Sequence, residues 1–244
     1  MMKMPGSEKE LLFFSVVIPA HREEGYIEKT IRSMQELDYP REKLEVIIVE
    51  NGSEDRTGEI IRSLSPDWFR ILSCRELGVS KAKNMGIDHV AAHCDWVIFL
   101  DADAFFEKGF LMEVDTYLRS RADKNLGVGM VSLRPDPDTR QARGWYRFYN
   151  FANRVVKTTR SIQVIRRDLL RDFRFDEELT FDEDTFLLRQ CRTRSKFFFM
   201  KTNKVFSSTR RFEINGWVRQ LIEWISFASR SYEAKKRIQY RVLR

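Results

Sequence analysis

The amino-acid sequence predicts an α/β fold with a mostly parallel sheet flanked by helices. Four apolar, β-branched runs of strand length, at residues 13–19, 44–49, 69–74 and 95–101, alternate with stretches whose apolar residues recur at helical spacing. The strand-helix pairs recur about every 30 residues, which is typical of right-handed βαβ crossovers. The 244 residues are enough for one large domain with a full core, or for two small ones.

A helix is expected after each of the first three strands. Ile27, Ile31 and Met34 recur at helical spacing after the first strand, and the same spacing predicts helices at about 55–64 and 78–92. The fourth strand, at 95–101, then ends in acidic residues. Because the strands run in parallel, their carboxyl ends should meet at one edge of the sheet.

The second half of the chain predicts further elements around a flexible loop. The segment 134–143 has two prolines and no periodic apolar residues, so we expect a mobile loop that covers the site as a flap. The other expected elements are a helix at 108–121, a strand at 127–133, an aromatic helix around 145–151, a strand at 161–165, a helix that ends near 191, and strands at 196–200 and 205–208.

The composition fits a globular protein that does not cross a membrane. No run approaches the ~18 apolar residues of a spanning helix, and the first 12 residues are short and polar, without a signal-peptide core. Cys74, Cys94 and Cys191 are widely spaced and lack CxxC or His partners, so neither a disulfide framework nor a zinc site is predicted. We therefore expect a soluble or peripheral protein of the reducing cytoplasm.

The positive charge is concentrated at the C-terminus. The chain has a net charge of +7, and residues 201–244 carry 11 Lys/Arg against three Asp/Glu, whereas the first 200 residues carry 32 basic and 33 acidic side chains. A basic tail beside a near-neutral domain points to an anionic partner, either a membrane surface or a nucleic acid.

The tail also has an amphipathic pattern. Arg219, Gln220 and Glu223 are expected on its polar side. The helix either packs on its own domain, or it lies on a membrane with Trp and Phe in the interface and Lys/Arg at anionic lipid. The apolar residues of the opposite face are at positions 214, 217, 218, 221, 225 and 228, with 222 and 224 widening it.

Two carboxylates follow the fourth strand. The residues from Trp96 to Leu100 run without a charge and then meet Asp101 and Asp103. Such a pair at a strand end can hold Mg²⁺, which prefers one or two carboxylates together with substrate phosphates. The alternative is an ordinary turn or helix-capping pair, because Asp is common where strands end.

Two other polar turns should meet this acidic turn. Residues 19–24 follow the first strand and residues 50–55 follow the second, so all three turns should border one crevice at the carboxyl edge of the sheet. A nucleotide needs hydrogen bonds for its base and ribose and a cation for its pyrophosphate. The three turns offer both.

Five motifs in this order resemble those of the family 2 glycosyltransferases, inverting enzymes with the GT-A fold. The resemblance covers residues 13–212 and makes that segment a catalytic domain, with 213–244 as an amphipathic, basic helical tail. The motifs are VVIPAHREE (16–24), VENGSEDRT (49–57), GVSKAKNMG (78–86), LDAD (100–103), and FDE followed by ED (175–177 and 183–184).

The resemblance implies a nucleotide-sugar site with a divalent cation. Asp101 would contact ribose or metal, Asp103 would bind the metal, Mg²⁺ or Mn²⁺, and the metal would bridge the diphosphate of a UDP- or GDP-sugar. The other residues implied at the nucleotide are Pro19, His21, Glu23, Glu50, Asn51, Lys81, Lys83 and Ala102. As alternatives, the two glutamates are first-turn acids worth ~0.3–1 kcal/mol at a helix start, and the two lysines are solvated helix residues.

The resemblance also implies a catalytic base. Inverting transfer is a single displacement, so a carboxylate must take the proton of the acceptor hydroxyl on the face opposite the leaving group. Asp184 would be that base and Glu183 a neighbour that orients the acceptor. Alternatively, both are acids at a helix start. The 175–177 tripeptide is expected to be architectural.

The sequence departs from the family pattern at three places. Arg22 stands where relatives commonly have Asn, and Glu50-Asn51 stands where they have Asp-Asp. A His that many relatives carry after the late strand is absent from residues 206–211. We predict that Arg210 or Arg211 binds the pyrophosphate there, because guanidinium pairs with phosphate in bidentate fashion.

The expected function is therefore metal-dependent, inverting transfer of a sugar to an acceptor hydroxyl on a glycan or a lipid-linked, membrane-proximal molecule. A nucleotidyltransferase would instead carry a Gly-rich phosphate loop after the first strand, which residues 19–25 do not form. A non-catalytic module that binds nucleic acid or an anionic surface would use the basic tail. Because the aromatic residues of the tail have core-facing spacing, a nucleic-acid partner is not expected.

Overall fold

The computed structural model describes residues 10–158, 161–179 and 181–237. In these ranges the chain forms a seven-stranded sheet and a three-stranded sheet, with helices on both faces of the larger one. The first nine residues and the last seven residues of the basic tail lie outside the described ranges. This arrangement confirms the predicted α/β class.

The strands carry the numbering used below. They are β1 (Phe14–Ala20), β2 (Leu44–Glu50), β3 (Phe69–Ser73), β4 (Trp96–Phe99), β5 (Ala104–Phe106), β6 (Leu126–Val131), β7 (Arg134–Asp136), β8 (Gln163–Arg166), β9 (Lys196–Met200) and β10 (Val205–Ser208).

The α-helices are numbered in the same way. They are α1 (Ile27–Gln35), α2 (Thr57–Leu64), α3 (Val79–His89), α4 (Phe110–Arg119), α5 (Arg140–Val156), α6 (Glu183–Cys191), α7 (Arg210–Asn215), α8 (Trp217–Ala228) and α9 (Tyr232–Lys236). Short 3₁₀ turns lie at Arg41–Lys43, Ala122–Lys124 and Arg167–Arg171.

The large sheet has the strand order β3-β2-β1-β4-β8-β6-β9. β1, β2, β3 and β4 are parallel, and β8 runs antiparallel to both of its neighbours. β1 and β4 are central strands buried on both faces, which explains their continuous apolar sequences. Their carboxyl ends point to the same edge, as the crossover pattern predicts.

Each face of the large sheet has its own core. One cluster joins α1, α4, α5 and α7 through residues such as Ile31, Phe110 and Phe212, and we call this side face one. The other cluster joins α3 and α6 through residues such as Ile87 and Leu187, and we call it face two. Cys74, Cys94 and Cys191 are buried and unbonded to each other, as predicted.

Glycine allows α3 to lie directly on β1. A Cβ atom at Gly86 would sit 2.3 Å from Cγ1 of Val17, closer than two carbon atoms can approach. The helix axis therefore comes nearer to the sheet than a larger residue would permit. This close approach fixes the position of Lys83, one turn earlier on the same helix.

The prediction of a mobile flap at 134–143 is wrong. Residues Arg134–Asp136 form β7, which pairs with β10, and α5 already begins at Arg140. Pro135 is compatible with this strand because β7 is an edge strand of the three-stranded sheet β5-β10-β7. β5 was also not predicted, since its three residues are too few for a periodic signal.

The C-terminal tail forms three helices that pack on the domain. α7 runs through the expected boundary at 212/213, and Gly216, with φ of +82°, separates it from α8. Gln220, expected on the polar side, is fully buried and bonded to Asn215 and Glu223, so that expectation is wrong. No helix in the described ranges has the length and apolar content needed to span a bilayer.

The predicted apolar face of the tail is divided in two by the fold. Trp217 and Trp224 contact Phe212 in the face-one core, at ring distances of 5.0 and 5.5 Å. Val218 and Ile225 point away from that core and are 68% and 61% exposed. One helix therefore has an inward aromatic side and an outward aliphatic side.

Candidate active site

The turns that follow β1, β2 and β4 meet at one edge of the large sheet. The backbone N–H of Arg22 donates to the Ser53 hydroxyl at 3.1 Å, and the N–H of Glu23 donates to Oγ1 of Thr57 at 2.7 Å. Arg22 adopts φ of +55°, which turns the chain toward the second strand. The predicted convergence of these turns is thus observed.

The turn after β2 is held by its own side chains. Nδ2 of Asn51 donates to the carbonyl groups of Cys74 and Glu76 at 3.2 and 2.7 Å, and its Oδ1 accepts from the N–H of Gly78. Oε1 of Glu50 accepts from the N–H of Ser53 at 2.6 Å. The buried amide of Asn51 is therefore engaged by the backbone, and its carbonyl oxygen is the atom that borders the first turn.

His21 lies against this second turn. Its Nδ1–H donates to the carbonyl of Asn51 at 2.7 Å, which directs Nε2 away from that contact. The imidazole is partly exposed, as is the ring of Pro19 at the end of β1. The structure thus brings four residues that the resemblance implies at the nucleotide into two adjoining turns: His21, Glu23, Glu50 and Asn51. Among them, His21 presents a partly exposed polar ring.

A cluster of opposite charges, the Arg210 cluster, lies beside these turns. Nη2 of Arg210 is 2.9 Å from both carboxylate oxygens of Glu23 and 3.4 Å from Oδ2 of Asp103. The guanidinium also lies 4.4 Å from the ring centre of Tyr26. Arg211, the other arginine predicted at the pyrophosphate, is partly buried next to it.

The small sheet positions Arg210. The N–H of Ser208 donates to the carbonyl of Asp103 at 3.2 Å. β5, the strand that directly follows the acidic turn, pairs with β10. α7 then begins at Arg210 itself. The acidic turn and the arginine are therefore fixed to each other by backbone hydrogen bonds.

The Arg210 cluster carries more negative than positive charge. Burial, followed by the negative charge of Asp103, raises the pKa of Glu23 to about 7, although Arg210 opposes this change. Burial and then the charge of Asp101 raise the pKa of Asp103 to about 6. The carboxylates are thus held close together at a cost that a bound cation would reduce.

Asp101 is oriented by a residue that sequence reasoning missed. The hydroxyl of Ser161 donates to Oδ2 of Asp101 at 2.9 Å. Thr30 also supports the acidic turn, since its hydroxyl lies 2.8 Å from the carbonyl groups of both Ala102 and Ala104. Single serine and threonine residues give no sequence signal for these contacts, which depend on the tertiary fold.

The carboxylate pair fits an open metal site. Among the described residues, no three His, Cys, Asp or Glu side chains form a metal-binding group by themselves. Asp101 and Asp103 supply the hard oxygen donors that Mg²⁺ and Mn²⁺ prefer, and substrate phosphates commonly complete such a shell. The residues present therefore fit a cation that is shared with a diphosphate.

A second charged group joins α3 to α6. We call it the Lys83 pair after its shortest contact, that of Lys83 with Asp184. Nζ of Lys83 is 2.6 Å from Oδ1 of Asp184 and 3.3 Å from Oε1 of Glu183. Lys83 is only 3% exposed, so the alternative of a solvated helix lysine is wrong for this residue. Lys81 does match that alternative, because it is partly exposed and pairs with Glu76.

Burial and charge act in opposite directions on the Lys83 pair. Burial raises the pKa of Asp184 to about 8, although the Lys83 ammonium lowers it and Glu183 raises it further. Burial lowers the pKa of Lys83, but the carboxylates of Asp184 and Glu183 outweigh it and hold that pKa above its ordinary value. A carboxylate with a raised pKa and an adjacent cation can accept a proton near neutral pH.

Asp184 lies in the first turn of α6, as the alternative of a helix-start acid requires. Asp182 occupies the N-cap position with φ of +70°, and no side-chain cap bond forms there. The contact of Asp184 with Lys83 at 2.6 Å goes beyond that alternative. The tripeptide at 175–177 is fastened to α3, since the Asn84 amide bonds the backbone of Phe175 and the carboxylate of Glu177.

Comparison with known proteins agrees with this geometry. The family model described as Glycosyl transferase family 2 matches residues 15–180, more than half of the chain. The minor teichoic acid biosynthesis protein GgaA of Bacillus subtilis (strain 168) is 26% identical, in an alignment that covers 93% of this chain and 51% of GgaA. The chain spans between 25% and 51% of the length of the first curated relatives it matches.

Two solved structures have the same fold. The structure of S. aureus TarS residues 1–349 in complex with UDP-GlcNAc matches with a TM-score of 0.66 at 20% identity, covering 82% of this chain and 59% of that one. The mannosyltransferase PcManGT from Pyrobaculum calidifontis, in complex with GDP-Man and Mn²⁺, matches with a TM-score of 0.68 at 20% identity, covering 91% and 66%. These matches confirm the predicted GT-A fold.

The ordered motifs, the mixed sheet with its acidic turn after β4, and the family model therefore agree over the same part of the sequence. On this evidence the chain belongs to glycosyl transferase family 2.

Proposed function

We propose that the protein is a metal-dependent, inverting glycosyltransferase that moves a sugar from a nucleotide diphosphate-sugar to an acceptor hydroxyl. One observation supports this most strongly. The Arg210 cluster, with Glu23 and Asp103, is suited to a diphosphate, and the buried Asp184 is suited to a base. Besides burial, the charge of Asp101 raises the pKa of both Asp103 and Asp184, so the two groups lie near one acidic turn. Family membership makes transfer of a sugar the reaction that this combination serves.

The donor is proposed to bind along the first two turns. His21 and the backbone of Asn51 would contact the nucleoside, and the carboxylate of Glu50 would hold the turn in shape. UDP- and GDP-sugars are the candidate donors, because TarS and PcManGT bind UDP-GlcNAc and GDP-Man. Lys81 is exposed enough to reach the edge of the nucleotide, whereas Lys83 is directed at the acids of α6.

The diphosphate is proposed to bind at the acidic turn. Asp101 and Asp103 would hold the divalent cation, and Ser161 keeps the Asp101 carboxylate in place. A Mg²⁺ or Mn²⁺ ion bound there would supply Lewis-acid neutralisation of the leaving diphosphate. Arg210 would turn guanidinium N–H groups from Glu23 toward the phosphate oxygens, which is the bidentate contact expected of arginine.

Asp184 is proposed to accept the proton of the acceptor hydroxyl. The bond to the sugar forms as the bond to the diphosphate breaks, so the base must act on the face opposite the leaving group. Glu183 would orient the acceptor, and Lys83 would lower the pKa of Asp184 that burial raises. The acceptor is proposed to be a glycan or a lipid-linked molecule near the cytoplasmic face of a membrane. The teichoic acid role in the name of GgaA is consistent with an envelope polymer.

The donor half of this proposal is tested by binding. We expect one of the UDP-, GDP- and dTDP-sugars to raise the melting temperature with Mn²⁺ or Mg²⁺ but not with EDTA. At a ligand concentration of 100 Kd, binding should add about 2.7 kcal/mol to the free energy of unfolding. Asp103→Ala should remove the metal-dependent part. Arg210→Ala should weaken donor binding by about tenfold, the loss of one charge-assisted contact. Unchanged donor affinity in both Arg210→Ala and Arg211→Ala would reject the arginine assignment.

The catalytic half is tested by separating binding from transfer. Asp184→Asn should retain donor binding and lose at least a hundredfold in transfer, because general-base catalysis contributes about 10²–10⁴-fold. Asp176→Asn serves as the matched control, since this partly exposed acid lies outside the Lys83 pair. Normal transfer by Asp184→Asn would show that another group is the base.

A further inference from the structure

Two neighbouring helices expose a continuous set of apolar side chains. Phe148, Phe151 and Val155 of α5 and Val218, Ile222 and Ile225 of α8 are between 49% and 68% exposed. Their spacing of three and four residues places each set in one stripe along its helix. We call these six side chains the α5–α8 surface.

The two stripes face away from a common core. α5 and α8 contact each other through Tyr149 and Trp224, whose ring centres are 6.1 Å apart, and through Trp145 and Trp217 at 5.7 Å. Fully or largely buried residues, Tyr146 on α5 and Gln220 on α8, mark the inward side of each helix. The exposed stripes lie opposite these residues, so they form one outer face and not two separate ones.

Basic side chains border the α5–α8 surface. α5 has four arginines and no acidic residue. Arg147 and Arg154 line a groove of about 1080 Å³ between α5 and α4, together with Arg121, Lys201 and a single acid, Glu113. Phe151 of the apolar stripe also lines this groove. Cationic groups therefore border the apolar stripe of α5 on the side that faces α4.

We propose that the α5–α8 surface docks on an anionic lipid bilayer. Apolar side chains on neighbouring helices, flanked by arginine, match an interface in which hydrocarbon enters the acyl boundary and guanidinium binds lipid phosphate. The proposal goes beyond sugar transfer and does not depend on it. It differs from the expectation for the amphipathic tail, because the surface joins α8 of that tail to α5 and assigns no lipid contact to the basic residues after α8.

The structure favours this surface over the basic residues that follow α8. Trp217 and Trp224, the aromatic residues expected to enter a membrane, are partly buried against the domain core. Lys235 pairs with Asp182 at 2.6 Å, and Lys236 pairs with Glu178. These tail side chains are engaged by the protein itself, whereas the α5–α8 stripes point to solvent.

Charge also favours lipid over a second copy of the chain. A two-fold dimer places the same patch of both subunits in contact, so α5 and α8 of one copy would face the same two helices of the other. Together these helices carry five arginines and one acid, Glu223, whose carboxylate already accepts from Gln220. An anionic bilayer supplies the opposite charge instead.

The test is flotation of the full-length protein with vesicles of phosphatidylcholine alone and of phosphatidylcholine mixed with phosphatidylglycerol. We expect binding to the anionic vesicles. The triple variant Val218→Ser, Ile222→Ser, Ile225→Ser and the double variant Arg147→Glu, Arg154→Glu should each lower the partition coefficient by about tenfold or more. Circular dichroism melts verify that each variant is folded.

Matched controls remove the same chemistry elsewhere. Ile71→Ser with Leu77→Ser and Val79→Ser removes three exposed apolar side chains, and Arg171→Glu with Arg189→Glu reverses two exposed charges on other elements. Both controls should float like the wild type. The tail variant Arg237→Gln, Arg241→Gln, Arg244→Gln should retain most of its binding to the anionic vesicles.

Three results would overturn the proposal. The first is absence of flotation with both vesicle types. The second is loss of binding in the tail variant or the controls that equals the loss in the α5 and α8 variants. The third is a dimer, measured by light scattering without lipid, that the α8 triple variant converts to monomer, since that result assigns the surface to a second copy.

Discussion

Lys83 sets the protonation of the proposed base. Its ammonium lies 2.6 Å from Asp184, and both side chains are almost completely buried. Burial alone favours the neutral acid, and the ammonium favours the carboxylate. The balance between these two effects determines the pH at which Asp184 can accept a proton.

Replacing Lys83 should therefore move the pH dependence of transfer. In Lys83→Met the cation is lost, so the pKa of Asp184 rises above about 8 and the ascending limb of the pH–rate profile moves to higher pH. Activity near neutral pH should fall by more than activity in alkaline buffer. The measurement is kcat and kcat/KM across the neutral to alkaline range.

Lys81→Met is the matched control for this prediction. Lys81 lies two positions away on the same helix, is partly exposed and pairs with Glu76 at the surface. Its loss should leave the ascending limb in place. If both variants shift the limb equally, or neither does, the Lys83 pair does not control the base.

Sequence reasoning located most of the acidic site but not the partners of its acids. Asp101, Asp103 and Asp184 follow from the order of motifs along the chain. The contact of Lys83 with Asp184 joins residues 101 positions apart, and that of Arg210 with Glu23 joins residues 187 apart. Such pairs depend on which helices share a face of the sheet, which spacing along a single chain does not report.

At the scale of elements, the close contact of α3 with β1 depends on one glycine. Gly86→Ala would place a methyl group against Val17, so α3 would have to move outward. We expect the free energy of unfolding to fall by about 1–3 kcal/mol, the usual cost of overpacking. Urea denaturation measures this change.

Gly144→Ala, in α5, should instead raise the free energy of unfolding. A Cβ atom at Gly144 meets nothing within 4 Å on exposed α5, so alanine should stabilise the protein by up to about 1 kcal/mol through helix propensity. Equal effects of the two substitutions would mean that the packing at Gly86 is not tight. Reduced transfer in Gly86→Ala would further link the position of α3 to Lys83.

The elements that prediction missed are short or face two environments. The sequence predicts a loop at β7 because the segment 134–143 has two prolines and no periodic apolar residues, whereas Arg134–Asp136 pair with β10. α8 gave a single apolar face in the sequence, yet its tryptophans enter the core and its aliphatic residues remain outside. Periodicity identifies a helix but does not say which part of a wide apolar face is covered.

At the scale of the whole molecule, α9 contacts the residues that precede α6, the helix that carries the proposed base. Lys235 of α9 pairs with Asp182, directly before Glu183, and only 10% and 6% of the two side chains are exposed. Phe227 and Phe181 add a ring contact at 5.2 Å. α9 and the end of α8 thus support the start of α6.

Lys235→Met, which removes the ion pair with Asp182, should lower the free energy of unfolding. Removing one partner of a largely buried ion pair costs roughly 3–5 kcal/mol of unfolding free energy. We also expect a lower kcat with little change in donor affinity, since α6 carries Asp184. Urea denaturation and steady-state kinetics provide the two measurements.

Two further variants make this prediction specific. Lys236→Met removes a more exposed pair with Glu178 and should destabilise the protein much less than Lys235→Met. Combining Lys235→Met with Asp182→Asn removes the buried charge and should restore much of the lost stability. If Lys235→Met is no more destabilising than Lys236→Met, the pair does not hold α6.

The division of the core into two faces has a consequence for laboratory evolution. Glu23 and Arg210 adjoin α1 and α7 on face one, whereas Lys83 and Asp184 belong to α3 and α6 on face two. Because separate packing layers support the two charge groups, substitutions that reshape one layer leave the other largely undisturbed. A library of substitutions confined to face one should thus allow selection for a new donor. The residues proposed to remove the proton, on face two, would keep their packing.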